Sequence, residues 1–156
     1  MISYVSCHDD LCIADRLKKT LPGASPQELG ALMKLAETAV FPSQGVPFLF
    51  AGDEFMRDKK GVSNSYNSPD SINAINWQLK NQHRDVFDYV KGLIALRKAH
   101  PAFRLGDAEK IRAHLEFLHT PADNVVAFCL KGRPNGDSWL NTIVILNPRT
   151  EPVTVD

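Results

Sequence analysis

His8 and Asp9 are the residues of this chain best placed to do chemistry. They sit in the tetrapeptide Cys7-His8-Asp9-Asp10, at the end of the apolar run Ile2-Ser3-Tyr4-Val5-Ser6. A fixed carboxylate stabilises positive charge that develops in a transition state, and a neighbouring imidazole can hydrogen-bond the same reacting group. On its own the pair fits a cap of the following helix at least as well as a site. Asp53 and Glu54 form a second acidic pair, after the apolar run Val46–Ala51. Successive residues of extended chain point opposite ways, so at most one of the two faces a common pocket. A structural role is expected for them, through pairing with Arg57 or bonding of loop amides. Asn64, Tyr66, Asn67 and Asp70 lie in one polar stretch. Amides and carboxylates pair with hydroxyl groups, and an aromatic ring stacks on the apolar face of a sugar. The same Asn and Asp side chains can instead hold the loop through local backbone bonds. Asn67 and Asp70 are the better candidates for contact.

The elements that must position these groups follow from pattern. Residues 2–6 read as a short buried strand, and residues 11–20 as a short helix beside the site. Ser25-Pro26-Gln27-Glu28 reads as a helix start, with Ser25 as cap and Glu28 closing a capping box. Leu29, Leu32, Met33, Ala36 and Val40 then share one face at helical spacing, and Pro42 ends the helix. Val46–Ala51 is a continuous apolar run of strand length, the pattern of a parallel strand covered on both faces. Residues 52–83 read as a long loop rich in Asn, Ser, Gly and Asp, with Trp77 as a packing anchor beneath it. Loops of that length inside compact domains are functional or disordered, and the aromatics and prolines of this one favour the first. Asp85 is expected to cap a second helix that ends at Pro101.

After about Leu105 the pattern changes. Ile111–His119, Val125–Lys131, Thr142–Asn147 and Val153–Asp156 read as short strands, with turn signals at Asp123-Asn124 and Asn135-Gly136-Asp137. Trp139 is expected on a strand. The fold class is thus α/β over residues 1–105, followed by all-β over 106–156. A strand–helix–strand–helix piece cannot close a barrel, and its strands leave unpaired edges. That difficulty favours a segment of something larger, or a chain completed by another copy or segment.

Composition narrows the partners. The 156 residues carry 18 basic and 18 acidic side chains, a net charge of zero. That balance argues against general binding to nucleic acid or to an anionic membrane. No apolar run approaches the roughly 20 residues that span a bilayer, and no signal peptide is expected. Cys7, Cys12 and Cys129 make an odd number without metal-ligand spacing. They read as free thiols and lean towards a reducing, cytoplasmic compartment, although the compartment stays open. His100, His114 and His119 show no metal spacing with one another, and Gly45 and Gly52 fit strand flanks better than a phosphate loop.

Four stretches carry a resemblance to a known family. They are Tyr4-Val5-Ser6-Cys7-His8-Asp9-Asp10 and Ser43-Gln44-Gly45-Val46-Pro47-Phe48-Leu49-Phe50-Ala51-Gly52-Asp53-Glu54-Phe55. Asn64-Ser65-Tyr66-Asn67-Ser68-Pro69-Asp70-Ser71-Ile72-Asn73 and the span from Asp85 to Arg104 continue in the same order. The chain resembles type I pullulanases, debranching enzymes of the α-amylase clan. The resemblance implies the last quarter of a TIM (β/α)₈ catalytic barrel over residues 1–105. The start of a C-terminal antiparallel β-sandwich domain would follow over 106–156.

That resemblance implies hydrolysis of α-1,6 branch links in pullulan, starch or glycogen-type α-glucans, with retention of configuration. Glycoside cleavage passes through an oxocarbenium-like state, in which hydrogen bonds near the sugar's 2-hydroxyl strengthen. By the resemblance, Asp9 holds hydroxyls of the sugar in the cleavage subsite and stabilises that state, and His8 hydrogen-bonds the same ring. Tyr66, Asn67 and Asp70 would contact substrate. The family's nucleophile and acid/base lie on earlier strands and match nothing here, so the isolated chain is expected to be inactive without the missing N-terminal part. The family usually reads Asn where this chain has Asp10. Harm from a second carboxylate depends on whether it points into the pocket. No cofactor is expected; calcium is frequent in the clan, but no ligand cluster is visible. An α-1,4-acting amylase or neopullulanase remains open, as does a non-catalytic carbohydrate-binding module.

Overall fold

The computed structural model describes residues 1–155. In chain order the elements are β1 (Ile2–Ser3), α1 (Ile13–Thr20), α2 (Pro26–Val40), β2 (Val46–Pro47), α3 (Asp70–Asn73), α4 (Leu79–Gln82) and α5 (Arg84–Ala99). They continue with α6 (Ala108–His114), β3 (Leu115–Phe117), β4 (Val126–Lys131) and β5 (Asn141–Leu146). No helix among the described residues is long and apolar enough to cross a membrane.

Helix α2 starts as its sequence dictates. Ser25 Oγ accepts from the Glu28 amide at 3.2 Å, and the Glu28 carboxylate takes the Ser25 amide at 2.7 Å. The reciprocal bonds satisfy donors that the first turn leaves free. Its buried face carries Leu29 and Met33 against Ile13 and Ala14 of α1 and Val86, Val90 and Leu93 of α5, and Val40 is buried near its end. Burying each such aliphatic side chain contributes roughly 1.5–3 kcal/mol. Helix α5 begins one residue before Asp85, with His83 at the cap position and no side-chain cap. The carboxylate of Asp85 instead pairs with Lys34 on α2 at 2.6 Å, because packing of α5 on α2 brings that ammonium to it.

The two expected buried strands are short and exposed. β1 and β2 pair in parallel through Ile2↔Val46 and Ser3↔Pro47. Ile2 and Val46 remain 63% and 62% exposed. A parallel strand is buried when it has neighbours at both edges and cover on both faces. This pair has one ladder and helices on one side. The turn into β2 is held from inside by Arg97 of α5. Its buried guanidinium donates to the carbonyls of Phe41, Ser43 and Gly45 at 2.6, 2.8 and 2.7 Å. Burial lowers the pKa of that guanidinium, and Arg104 pushes the same way.

The expected loop 52–83 contains α3, α4 and a 3-10 turn at Asp53–Phe55. Trp77 is 66% exposed and reaches Phe55 with its ring centroid at 5.7 Å, so it covers the turn rather than lying beneath the loop.

After residue 105 the chain forms a three-stranded antiparallel sheet in the order β3-β4-β5. The strand expected from Ile111 begins as helix α6 instead. Asp107 accepts from the amides of Glu109 and Lys110 at 2.8 and 3.0 Å, a cap that commits the segment to helix until Leu115. Residues 153–155 join no strand, and Asp156 lies outside the described residues. Phe128, Leu130 and Val144 on the sheet pack on Ala102, Phe103 and Leu105, which follow α5. Trp139 lies before β5 rather than on a strand, stacked on His100.

Candidate active site

A cavity of about 200 Å³ is lined by His8, Asp9, Lys59, Ser63, Asn64, Ser65, Tyr66 and Asn73. One wall is the chain just beyond β1; the other is the loop that leads to α3. His8 Nε2 and Asp9 Oδ1 lie 3.4 Å apart, with side chains 80% and 83% exposed, so both can meet a ligand. The structure therefore brings His8, Asp9, Asn64 and Tyr66 to one place. Asn67 and Asp70 are exposed but line no part of that cavity. Asp70 occupies the first turn of α3.

Asp10 does not line the cavity. Its φ is 61°, in the left-handed region, where Asn and Asp are the best tolerated residues after glycine. Its carboxylate accepts from the Leu11 amide and pairs with Arg16, both at 2.8 Å. The amide bond, followed by the arginine, holds its pKa below the ordinary value. The second carboxylate is thus neutralised by α1 rather than repelling Asp9.

Asp53 and Glu54 serve the scaffold. Asp53 is buried and accepts from Ser6 Oγ at 2.5 Å. Glu54 accepts the Gly52 amide at 2.9 Å, a loop-amide bond of the expected kind. The expected pairing with Arg57 does not form. Arg57 donates to the carbonyls of Ala51 and Asn73 at 3.1 and 2.5 Å. Gly52 has a φ of 100°, and a Cβ there would lie 2.6 Å from Arg57 Cβ, so the arginine can cross this turn because the residue is glycine. Behind the turn Glu37 of α2 is fully buried, and both its carboxylate oxygens lack hydrogen-bond partners. Burial, with Asp53 and Glu54 nearby, pushes its pKa up to about 8. Burial likewise raises Asp53 to about 6, against the lowering effect of the Ser6 bond.

Comparison with known proteins now adds to this geometry. Residues 111–156 match the family described as "Pullulanase, all-beta domain". The pullulanase of Bacillus subtilis strain 168 is 40% identical over 144 residues, covering 92% of this chain and 20% of its own length. A pullulanase crystal structure from Paenibacillus barengoltzii, in complex with maltohexaose and alpha-cyclodextrin, superposes with a TM-score of 0.90. It is 47% identical, and the match covers 94% of this chain and 23% of that one. Pullulanase from Bacillus acidopullulyticus gives a TM-score of 0.91 at 44% identity, over 94% and 18% of the two chains.

By sequence and by structure, this chain is related to the pullulanases. It spans about a fifth of the length of the relatives it matches.

In this pullulanase-related chain the residues that build the cavity include several that the sequence did not mark. Asn73 donates from Nδ2 to the carbonyls of Ser65 and Ser68 at 2.6 and 2.9 Å and so folds the 65–73 loop. Lys59 reaches Ser65 Oγ at 2.8 Å and the His8 carbonyl at 3.3 Å. Lys59 sits beside Lys60 in a polar stretch, with nothing in the sequence to mark it as buried. A larger hollow of about 920 Å³ lies between α2 and the end of β5. Several of its polar side chains are already engaged, Thr38 with Tyr89, Lys34 with Asp85 and Glu28 with Ser25. Ala31, Leu32 and Leu35 of α2 and Ile145 of β5 give it apolar surface. Among the described residues no group of His, Cys, Asp and Glu side chains converges in a way that could hold a metal ion.

Proposed function

We propose that this chain forms part of a debranching glycoside hydrolase that cleaves α-1,6 links in α-glucans with retention. Residues 1–105 would supply the last strands of its (β/α)₈ barrel, and residues 106–156 the opening strands of its antiparallel β domain. The observation that carries this reading is the placement of Asp9 and His8. They follow the end of a strand that pairs in parallel with β2, and they face a cavity shared with Asn64 and Tyr66. Active sites of such barrels lie at the carboxyl ends of the strands.

In this reading Asp9 holds hydroxyls of the sugar at the point of cleavage, where charge develops, and His8 bonds the same ring. Tyr66 offers an aromatic face to a neighbouring sugar. Asn67 and Asp70 would meet substrate further along the exposed loop. The nucleophile and the acid/base belong to parts of the enzyme outside these residues, so the chain alone does not turn over. The maltohexaose named with the Paenibacillus barengoltzii structure supports an α-glucan as substrate class.

The test is the product pattern on pullulan of the full-length enzyme, wild type beside Asp9→Asn. Maltotriose from the wild type, with a fall in kcat on the order of 10³-fold in the variant, is the expected result. Panose would assign α-1,4 cleavage instead. Glucan binding without turnover would assign a binding module.

A further inference from the structure

We infer that Lys59 is a positioning residue, which sets the distance between the His8–Asp9 wall of the cavity and the Ser63–Tyr66 wall. The inference rests on the glycosidase reading for its effect on rate, but not for its geometry.

Lys59 is 4% exposed, and among the described residues its ammonium has no ion-pair partner. Burying a charge without a counter-charge is costly unless hydrogen bonds hold it. Its bonds here go to two neutral acceptors, the His8 carbonyl at 3.3 Å and Ser65 Oγ at 2.8 Å. The ring of Phe50 lies beneath it, 5.2 Å from the nitrogen to the centroid. The two acceptors belong to the two opposite walls of the cavity. One cation therefore bridges segments that are 51 and 6 residues away in the chain.

The base of this lysine is itself clamped. Asp15 of α1 accepts the Lys59 amide at 2.7 Å and the Gly61 amide at 2.9 Å. The single S–H of Cys12 lies between two acceptors, the same Asp15 carboxylate at 3.0 Å and the Arg57 carbonyl at 3.3 Å. Lys60 and Gly61, with φ of 54° and 76°, turn the chain back on itself between those bonds. The tether thus runs from the first turn of α1, through the 57–61 turn and the lysine side chain, to both walls. A polymethylene stem fixed at its base and bonded twice at its tip allows little play at Asp9. Misplacement of about 1 Å at a reacting group can cost about 10²-fold in rate.

The test uses the full-length enzyme with Lys59→Met, Ser65→Ala and the double variant. Amide exchange at residues 63–66, kcat and KM on pullulan, and Tm are read together. Lys59→Met is expected to speed exchange at 63–66 and to lower kcat about 100-fold, with KM within about threefold. Ser65→Ala is expected to lower kcat by about tenfold, and the double variant to match Lys59→Met, since both cut one tether. Unchanged exchange in Lys59→Met would overturn the inference. So would multiplying losses in the double variant, or a fall in Tm with kcat intact. If the wild type cleaved no glucan while exchange at 63–66 still rose in Lys59→Met, the glycosidase reading would fall and the tether would stand.

Discussion

The imidazole of His100 at the end of α5 donates a 2.9 Å bond from Nδ1 to the carboxylate of Asp137, thirty-seven residues later in the connection between β4 and β5. Asp137 is buried and also takes the amides of Ala102 and Trp139 at 3.0 and 2.9 Å, and the Trp139 ring stacks on His100 at 3.5 Å. This cluster ties the helical part of the chain to the β part.

Burial by itself would raise the pKa of Asp137. The bonds from His100, Trp139 and Ala102 outweigh it and hold the carboxyl below its ordinary value of 3.8. A carboxylate depressed in the folded state gives stability that is present above its unfolded pKa and lost as pH falls through the folded one. Asp137→Ala is expected to cost roughly 2–3 kcal/mol at neutral pH, because it also strands the Ala102 amide. Urea melts at pH 7 and at pH 3 check this: the gap between variant and wild type should shrink at the lower pH.

Glu37 predicts the opposite slope. Its folded pKa of about 8 stands above the ordinary 4.5, and Asp53 at about 6 stands above 3.8. Each group binds more protons folded than unfolded across those windows, so stability falls as pH rises from about 4.5 to about 8 and then levels. Glu37→Gln removes the larger part of that slope. At pH 8 it is expected to raise Tm by about 3 °C or more, with little change at pH 5. Thermal melts of both proteins from pH 5 to 9 provide the measurement.

Asp10 tests whether shape or charge matters next to the His8–Asp9 pair. Asp10→Asn keeps the left-handed backbone and the bond to the Leu11 amide, so its stability should stay within about 0.5 kcal/mol. Asp10→Val forces a β-branched residue to a φ of 61° and should cost about 1–2 kcal/mol. Denaturant melts rank the three proteins. A large loss in Asp10→Asn would show that the pair with Arg16 outweighs the backbone.

Local chemistry was legible from residue order. Ser25 and Glu28 form the capping box, α2 buries Leu29, Met33 and Val40, and β4 and β5 lie within a residue of where alternation puts them. Each of these is decided within a few residues, by capping, by helical period or by strand period. Asp107 carries the same kind of signal, and its cap explains why Ile111 opens in a helix.

Residue types by themselves determined that His8 and Asp9 could do chemistry, that the chain is neutral, and where α2, β4 and β5 lie. Tertiary structure decided what local sequence does not encode. It turned Asp10 towards Arg16, left Asn67 and Asp70 outside the cavity, and buried Lys59 between His8 and Ser65. It also left β1 and β2 exposed, although their composition is that of covered strands. Composition states how well a segment tolerates burial; burial itself, and the partner of each charge, depend on which distant segments are present to surround it.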